Sequence, residues 1–539
     1  MGSTWLPAYV TLCPALDILS TCEPIDMSKT ARPKARPAEA RLAELRQRLL
    51  EISDLGYAGA VLSWDQATYM PSAGAAARGR QRAMLSRLAH ERATDPALGR
   101  LLDGLQSHVE RLAPDSDDAC LVRVARREFE QAIKVPADFV ARRAAFGATS
   151  YDAWTRARPA NDFATMQPYL ERAVELAREF AGFFAPFEAI TDPLIDRHDE
   201  GMTTASVRAL FDALRTELVP IANAICDQPA ADDRCLRGPF EEAPQLAFST
   251  LAIEAIGYDM KRGRMDKTHH PFCTKFSHGD VRITTRVRHD DLGEALFSCL
   301  HEAGHAIYEQ GVAGDLVGTP LGHGASAGVH ESQSRLWENM VGRSRGFWGH
   351  FYPQLQRTFP AELGQVPLDR FYRAINKVSR SLIRTDADEV TYNLHVMLRF
   401  DLEIELLEGR LAVKDLPEAW HARMLSDLGI APPDHRDGCL QDVHWYGGWI
   451  GGSFQGYTIG NILAAQLYDA ALAAAPAIPD EIKAGRFGTL ASWLRENVYR
   501  HGAKFTPDDL IQRATGKALG IEPYVAYLRG KYGALYRLP

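Results

Sequence analysis

Residues Leu300-His301-Glu302-Ala303-Gly304-His305-Ala306-Ile307-Tyr308 place two histidines four positions apart inside an apolar run. Leu292, Ala295, Leu296, Cys299 and Ala303 recur at spacings of three and four, which predicts an amphipathic helix. Asp290 and Asp291 stand where the helix dipole favours acids, and Gly311 stands at the expected end. On that helix His301 and His305 share a face, so two imidazole nitrogens can reach one metal ion. Zinc takes such ligands tetrahedrally, and a catalytic site keeps one position for water. Glu302, beside the first ligand, can reach that water as general base. The fold must then bring a third ligand to this helix from elsewhere in the chain.

His330-Glu331-Ser332-Gln333-Ser334 opens a second helical pattern, with Leu336, Met340 and Val341 apolar. Glu331 lies 26 residues after His305. A carboxylate from a second helix completes the two-histidine, one-glutamate type of site. Glu331 is the candidate, and His330 and Glu338 compete with it. Glu338, two turns on, would suit a partner that orients a ligating histidine. Spacing alone leaves the choice open, because a carboxylate in a first helical turn is favoured by the dipole in any case.

Composition narrows the partners. With 46% hydrophobic and 24% charged residues in 539, the chain reads as ordinary globular protein. A net charge of -8 and a pI near 6.1 argue against nucleic acid and acidic membranes as partners. The eight cysteines are scattered without a C-x-x-C pair, which points to a reducing, cytoplasmic compartment. No apolar run is long enough to predict a membrane span. Residues 1–37 are expected to form a disordered extension. Their apolar piece is broken by Pro7, Pro14 and Asp17 with no basic segment before it, and 29–37 are basic and proline-containing. Residues 38–539 read as one helical domain.

Helical spacing is predicted over 42–55, 79–94, 96–108, 118–133, 151–155, 162–184, 205–227, 248–258, 389–407, 481–498 and 507–519. Leu62 to Pro71 reads as a turn between helices. Glycines at 447, 448, 451, 452, 456 and 460 predict a loop, with helix resuming at Asn461. One strand is expected, at 280–287, with Val281, Ile283, Thr285 and Val287 on one face. It precedes the metal helix. It could be an edge strand that pairs with an extended substrate, or a structural hairpin.

Five ordered motifs carry a family resemblance: Asp280-x-Arg282-x-Thr284, His301-Glu302-x-x-His305, His330-Glu331-Ser332, Ile383-Arg384-x-x-Ala387-Asp388 and Gly438-x-x-Gln441-Asp442-x-His444-Trp445. With the Trp64-Asp65-Gln66…Met70-Pro71 stretch, they make the chain from Ala38 onward resemble the carboxypeptidase Taq family of zinc metallopeptidases. The resemblance implies a mostly α fold: a large helical metallopeptidase with a deep substrate groove and a small β-element beside the metal helix. It also implies one Zn2+ per subunit (or another divalent ion such as Co2+), a homodimer, and release of C-terminal residues from peptides. It assigns Glu331 as the third ligand. It directs attention to His444, Tyr446 and Tyr457 as oxyanion donors, and to Gln441 and Trp445 as substrate contacts, with Trp445 walling the pocket. A terminal carboxylate is best held by an arginine fork, and Arg384 and Arg282 sit in the motifs. The chain departs from the family's Gly-Tyr-Phe-Pro-Thr-Tyr stretch, reading Gly451-Gly452-Ser453-Phe454-Gln455-Gly456-Tyr457 there, so the proline is lost. A zinc oligopeptidase cutting internal bonds is the alternative reading. A peptide-binding protein with a dead site is disfavoured by the intact His301, Glu302 and His305.

Overall fold

The computed structural model describes residues 38–538, and the expected extension lies outside them. The first described helix, α1 (Ala38–Thr68), buries Leu42, Leu45 and Leu49 at spacings of three and four, then Trp64. It runs through most of the expected 62–71 turn. Nothing between Trp64 and Thr68 breaks a helix, and Thr68 Oγ1 donates to Trp64 O at 2.8 Å. Only Tyr69 and Met70 depart, as the following Pro71 requires.

Helices α2 (Ala75–Ala93), α3 (Pro96–Val109) and α4 (Asp117–Lys134) follow. Asp95 caps α3, accepting from Ala97 N at 2.8 Å, with proline in the first turn; Ser116 caps α4. The leucine faces of α1, α3 and α4 make a small core of their own. It is completed by Val312, Leu316 and Leu321, which follow the metal helix. The larger core takes in α5 (Ala137–Ala157), α6 (Phe163–Gly182), α7 (Asp192–Asp196), α8 (Thr204–Cys226) and α9 (Glu242–Ile256). The expected helix at 151–155 is the end of the much longer α5. Its apolar face is shallow, burying only Phe139, Ser150, Ala153 and Ala157, so periodicity hides most of its length.

A three-stranded sheet comes next: β1 (Met265–Lys267), β2 (Cys273–Ser277) and β3 (Asp280–Thr285), in spatial order β1-β3-β2. β3 pairs parallel with β1 and antiparallel with β2, so β2 and β3 form a hairpin. Of the two readings the sequence left open, the structural hairpin holds, and the edge strand does not, because β3 is central. Val281 N donates to Arg262 O at 2.8 Å on one side, and Thr284 N to Phe272 O at 2.9 Å on the other. Alternation reports which side chains face inward; it does not report whether a strand has one neighbour or two. The hairpin buttresses the metal helix, since Thr285 Oγ1 and Ser298 Oγ are 2.8 Å apart.

The metal helix is α10 (Leu292–Gly311), and α11 (Ala327–Arg335) packs against it before widening into a π-helical turn at Leu336–Val341. Asp291 caps α10, accepting from Gly293 N at 2.9 Å; Gly311 is its last residue rather than its cap. Behind α11 lie the buried helices Tyr392–Glu408 and Gln455–Ala474. The second starts six residues ahead of the expected Asn461, so Gly456 and Gly460 are helix-interior. They serve close packing. A β-carbon at 460 would lie 2.5 Å from Glu331 Cγ, and one at 456 would lie 3.2 Å from Ala327 Cβ. Gly451 and Gly452 do adopt left-handed angles, φ 85° and 82°, so the loop reading holds there.

Candidate metal centre

The α10 face that carries His301 and His305 meets Glu331 of α11. His301 Nε2 is 3.7 Å from Glu331 Oε2, and His305 Nε2 is 3.4 Å from the same atom. One donor atom from each of the three lies within 4.8 Å of the others, and no other such set of histidine, cysteine and carboxylate donors occurs among the described residues. The helices can approach this closely because position 304 has no side chain. A β-carbon there would lie 2.6 Å from Gln333 O.

The outer atoms of the ligands are fixed. His301 Nδ1 donates to Glu338 Oε2 at 3.0 Å, and His305 Nδ1 to His330 O at 3.0 Å. Both rings therefore turn an Nε2 lone pair toward the convergence point, as metal-ligating histidines do. Burial, with opposition from Glu331, pushes His305 down to about 4, so it is neutral, the form in which an imidazole can bind a metal. Glu331 is held ionised. Burial opposes ionisation, but Arg335 and the two histidines outweigh it and hold the carboxyl well below its usual range. Arg335 Nε donates to Glu331 Oε1 at 2.7 Å. The remaining oxygen is left for an ion. This donor set fits one divalent metal of the zinc type.

Arg335 is a site residue the sequence reading missed. Its signal was the Glu-Arg spacing of four on one helix face. It also reaches Glu338 Oε2 at 3.2 Å, while Arg343 holds Glu338 Oε1 at 3.2 Å. The competitors for the third ligand thus take other places. Glu338 orients His301, and the His330 ring Nε2 faces Glu309 Oε1 at 3.0 Å. Glu309 in turn holds Lys275 of β2 at 2.9 Å.

Glu302 sits on the same turn, 7% exposed. Among the described residues its carboxylate has no hydrogen-bond partner. Burial pushes its pKa up to about 7, with His301 opposing and Glu331 and Glu338 adding. That value suits proton exchange near neutrality.

The Gly438–Trp445 motif builds a second cluster around Asp442. Asp442 accepts from Arg384 Nε at 2.7 Å and Arg399 Nε at 3.1 Å, and its other oxygen accepts from His444 Nδ1. His444 Nε2 and Tyr457 OH are 3.1 Å apart. The loss of the family's proline therefore leaves Tyr457 engaged with His444. Burial raises the Tyr457 phenol above its ordinary value; Arg384 opposes this, and the charge of Glu331 is among those that add to it. Tyr457 thus stays a proton donor close to the metal centre. His270, before β2, was also missed; the charges of His444 and Arg384 both reach it.

Other expected contacts sit differently. Trp445 is 1% exposed, donates from Nε1 to Glu403 Oε1 at 2.7 Å, and packs edge-on against Trp420. It supports the loop rather than walling a pocket. Tyr446 is buried too, its OH donating to Cys439 O at 3.4 Å, so it turns away from the site. The Gln441 amide is taken by Leu382 O, Asp437 O, Arg384 N and Arg399 Nη2, all within 2.9 Å, so it braces backbone instead of meeting substrate. Arg282 closes its fork on Asp280 at 2.8 and 2.7 Å and stacks on Trp64 at 4.4 Å. Arg384 is buried, with Nη1 on Tyr392 OH at 2.9 Å. Polar side chains removed from water take the partners at hand, and spacing cannot show which those are.

Comparison with known proteins gives a consistent result. The sequence profile described as Carboxypeptidase Taq (M32) metallopeptidase matches residues 44–532. Thermostable carboxypeptidase 1 of Thermus thermophilus is 40% identical, over 92% of this chain and 99% of that protein. Carboxypeptidase 1 of Bacillus subtilis is 35% identical, over 91% and 97%. The crystal structure of an M32 carboxypeptidase from Deinococcus radiodurans superposes with a TM-score of 0.90 at 52% identity, covering 93% of this chain and all of that one.

Proposed function

This chain belongs to the carboxypeptidase Taq family of metallopeptidases, and on that premise we propose a zinc carboxypeptidase in which Glu302 is the general base. Metal-dependent carboxypeptidase activity on peptides follows from the family itself. The finer reading rests on one observation: His301 Nε2, His305 Nε2 and Glu331 Oε2 converge, with both Nδ1 atoms occupied elsewhere. These residues would hold one Zn2+ per subunit, with Co2+ the substitute of similar ligand preference. A divalent ion there supplies acidity to a water and polarisation to a carbonyl.

The chain's own groups do the rest. Glu302 takes the water's proton and returns it to the leaving amine. Tyr457, oriented by His444, donates to the oxyanion that develops on the scissile carbonyl. Asp442 holds the His444 proton on Nδ1, so Nε2 accepts from the Tyr457 hydroxyl, and that hydroxyl would turn from His444 to the oxyanion as charge develops there. Arg384 and Arg399 share the single carboxylate of Asp442, so the cluster has positive charge in excess. That excess supports Arg384, rather than the closed fork of Arg282, as the group that attracts a terminal carboxylate.

We place the enzyme in the cytoplasm as a homodimer. The described cysteines are free, no described helix is long and apolar enough to cross a membrane, and the dimer follows the family resemblance. Metal content, together with residue release from matched free-acid and amidated peptides, tests the reading. Stoichiometric zinc and loss of single residues from the free acid alone are expected. Internal cleavage of the amidated peptide would instead establish an oligopeptidase.

A further inference from the structure

A cavity of about 1090 Å3 opens between α4, α5, α6 and the loop that follows His444. That volume is ample for a peptide segment with its side chains. Gly447, Gly448 and Trp449 line it, so it begins three residues past His444. On another side it is lined by Arg197, two residues ahead of Asp199. Asp199 Oδ1 accepts from Gly328 N at 2.8 Å, near the start of α11. Two chain segments thus run from the cavity, one to His444 and one to Gly328 of α11, although it shares no residue with the metal centre.

Its wall is aromatic, and two cations lie on that wall. Arg143 Cζ is 4.6 Å and Arg197 Cζ 5.1 Å from the centre of the Trp449 ring. Arg197 also lies 5.6 Å from the Phe180 ring. Among the described residues neither guanidinium has a hydrogen bond or an acid partner. The two charges feel each other: burial first, then Arg197, pushes Arg143 down to about 10. Four acids, Glu128, Glu130, Asp192 and Asp196, share the lining, and none of them pairs with either guanidinium. Asp196 is held by Arg127 at 2.7 Å and Gly201 N at 2.9 Å. Asp192 is held by Thr204 N at 2.8 Å and Ala189 N at 2.9 Å.

This is unusual beside the other arginines of the site, which sit on Asp442, Asp280 or Glu331. Like charges held on one ring without a counter-charge repel. An anion that accepts from both forks relieves that repulsion, and a carboxylate matches the fork. The rings around it accept the apolar stem of the same side chain.

We propose that this cavity is an acidic-residue subsite, in which Arg143 and Arg197 take the side-chain carboxylate of an aspartate or glutamate upstream of the scissile bond. The proposal rests on the peptidase reading above, and it adds a preference that the metal centre does not create.

The test is calorimetric titration of the zinc-loaded full chain with two amidated heptapeptides. They differ only in carrying three glutamates or three glutamines upstream of a common apolar residue. The amide removes the terminal carboxylate, so any preference comes from side chains. The glutamate peptide should bind at least tenfold tighter in low salt. In the Arg143→Gln/Arg197→Gln double variant the ratio of the two Kd values should fall to near one. Arg143→Lys/Arg197→Lys, with its unfolding midpoint checked, should restore part of the ratio and so separates charge from folding. Equal binding of the two peptides by the wild type would overturn the proposal, as would a preference that survives the double variant. A glutamine peptide with a free C-terminus, titrated in a Glu302→Gln background that keeps the metal and does not cleave it, is the third arm. If its binding fell as much as that of the glutamate peptide, the arginines would hold the terminal carboxylate, and the side-chain subsite would be wrong. Because binding is read without turnover, a chain that prefers the glutamate peptide yet releases no residue would sink the peptidase reading and leave the subsite standing.

Discussion

Glu338 Oε2 accepts from His301 Nδ1 at 3.0 Å, while His301 Nε2 turns to Glu331 Oε2 at 3.7 Å. The two glutamates thus act on opposite edges of one imidazole. Glu331→Gln should empty the purified protein of metal. Glu338→Gln should keep the ion at stoichiometric loading with an affinity weakened roughly ten- to a hundred-fold. Metal analysis followed by chelator competition checks this, and the reverse order would reassign the third ligand.

Glu302→Gln removes the proposed base and leaves both histidines and Glu331 in place. Metal content should match the wild type, while kcat should fall roughly a hundred- to ten-thousand-fold. Turnover within a few-fold of the wild type would exclude Glu302 from proton transfer.

Arg384→Ala should lower kcat/KM on free-acid peptides by roughly ten- to a hundred-fold, the equivalent of about 1.5–3 kcal/mol. Amidated peptides should change much less. Equal losses on both would mean that Arg384 serves only to hold Asp442 and His444.

Glu403 carries a stability signature. Burial pushes its pKa up from 4.5 to about 8. For an acid raised in the folded state, the stabilisation is fully present below the unfolded value and is lost as pH rises through the folded one. The wild type should therefore lose stability between pH 5 and pH 9. Glu403→Gln, which keeps an acceptor for Trp445 Nε1, should flatten that loss, with the unfolding midpoint higher than wild type at pH 9. Parallel midpoint curves for the two proteins would show that Glu403 does not titrate there.

Gly460→Ala puts a methyl group against Glu331. Overpacking at such a contact costs on the order of 1–3 kcal/mol. Unfolding midpoints and metal affinity should both drop, whereas a drop in stability with unchanged affinity would mean that Glu331 is not displaced.

The metal helix was legible because its signals are local: Asp291 at the cap, apolar residues at three and four, histidines at four. Glu331 was only half legible, since its neighbour His330 and its successor Glu338 satisfy similar spacing. What separates them is the approach of two helices over Gly304 and Gly460, and that approach is tertiary. The motif arginines illustrate the same limit. Arg282 and Asp280 are two apart in sequence, yet a fork closed on its neighbour looks in sequence like a free one. Arg384 and Asp442 meet across a long separation. Trp445, Gln441 and Tyr446 sit inside a motif of the site but face its scaffold, because a motif records what the site needs and not which way each side chain turns. Whether β3 was an edge or part of a hairpin stayed open in the sequence because β1 is only three residues long and lacks an alternating pattern of its own.

The small leucine core has a mechanical meaning. Most of it belongs to α1, α3 and α4, and the rest is Val312, Leu316 and Leu321, in the segment that leaves α10. The N-terminal helices therefore cannot swing as an independent lid without tugging the end of the rod that carries His301 and His305. Moving those helices and disturbing the end of α10 become one cooperative motion, so an ion held by His301 and His305 should damp it, and the metal-free protein should open there first.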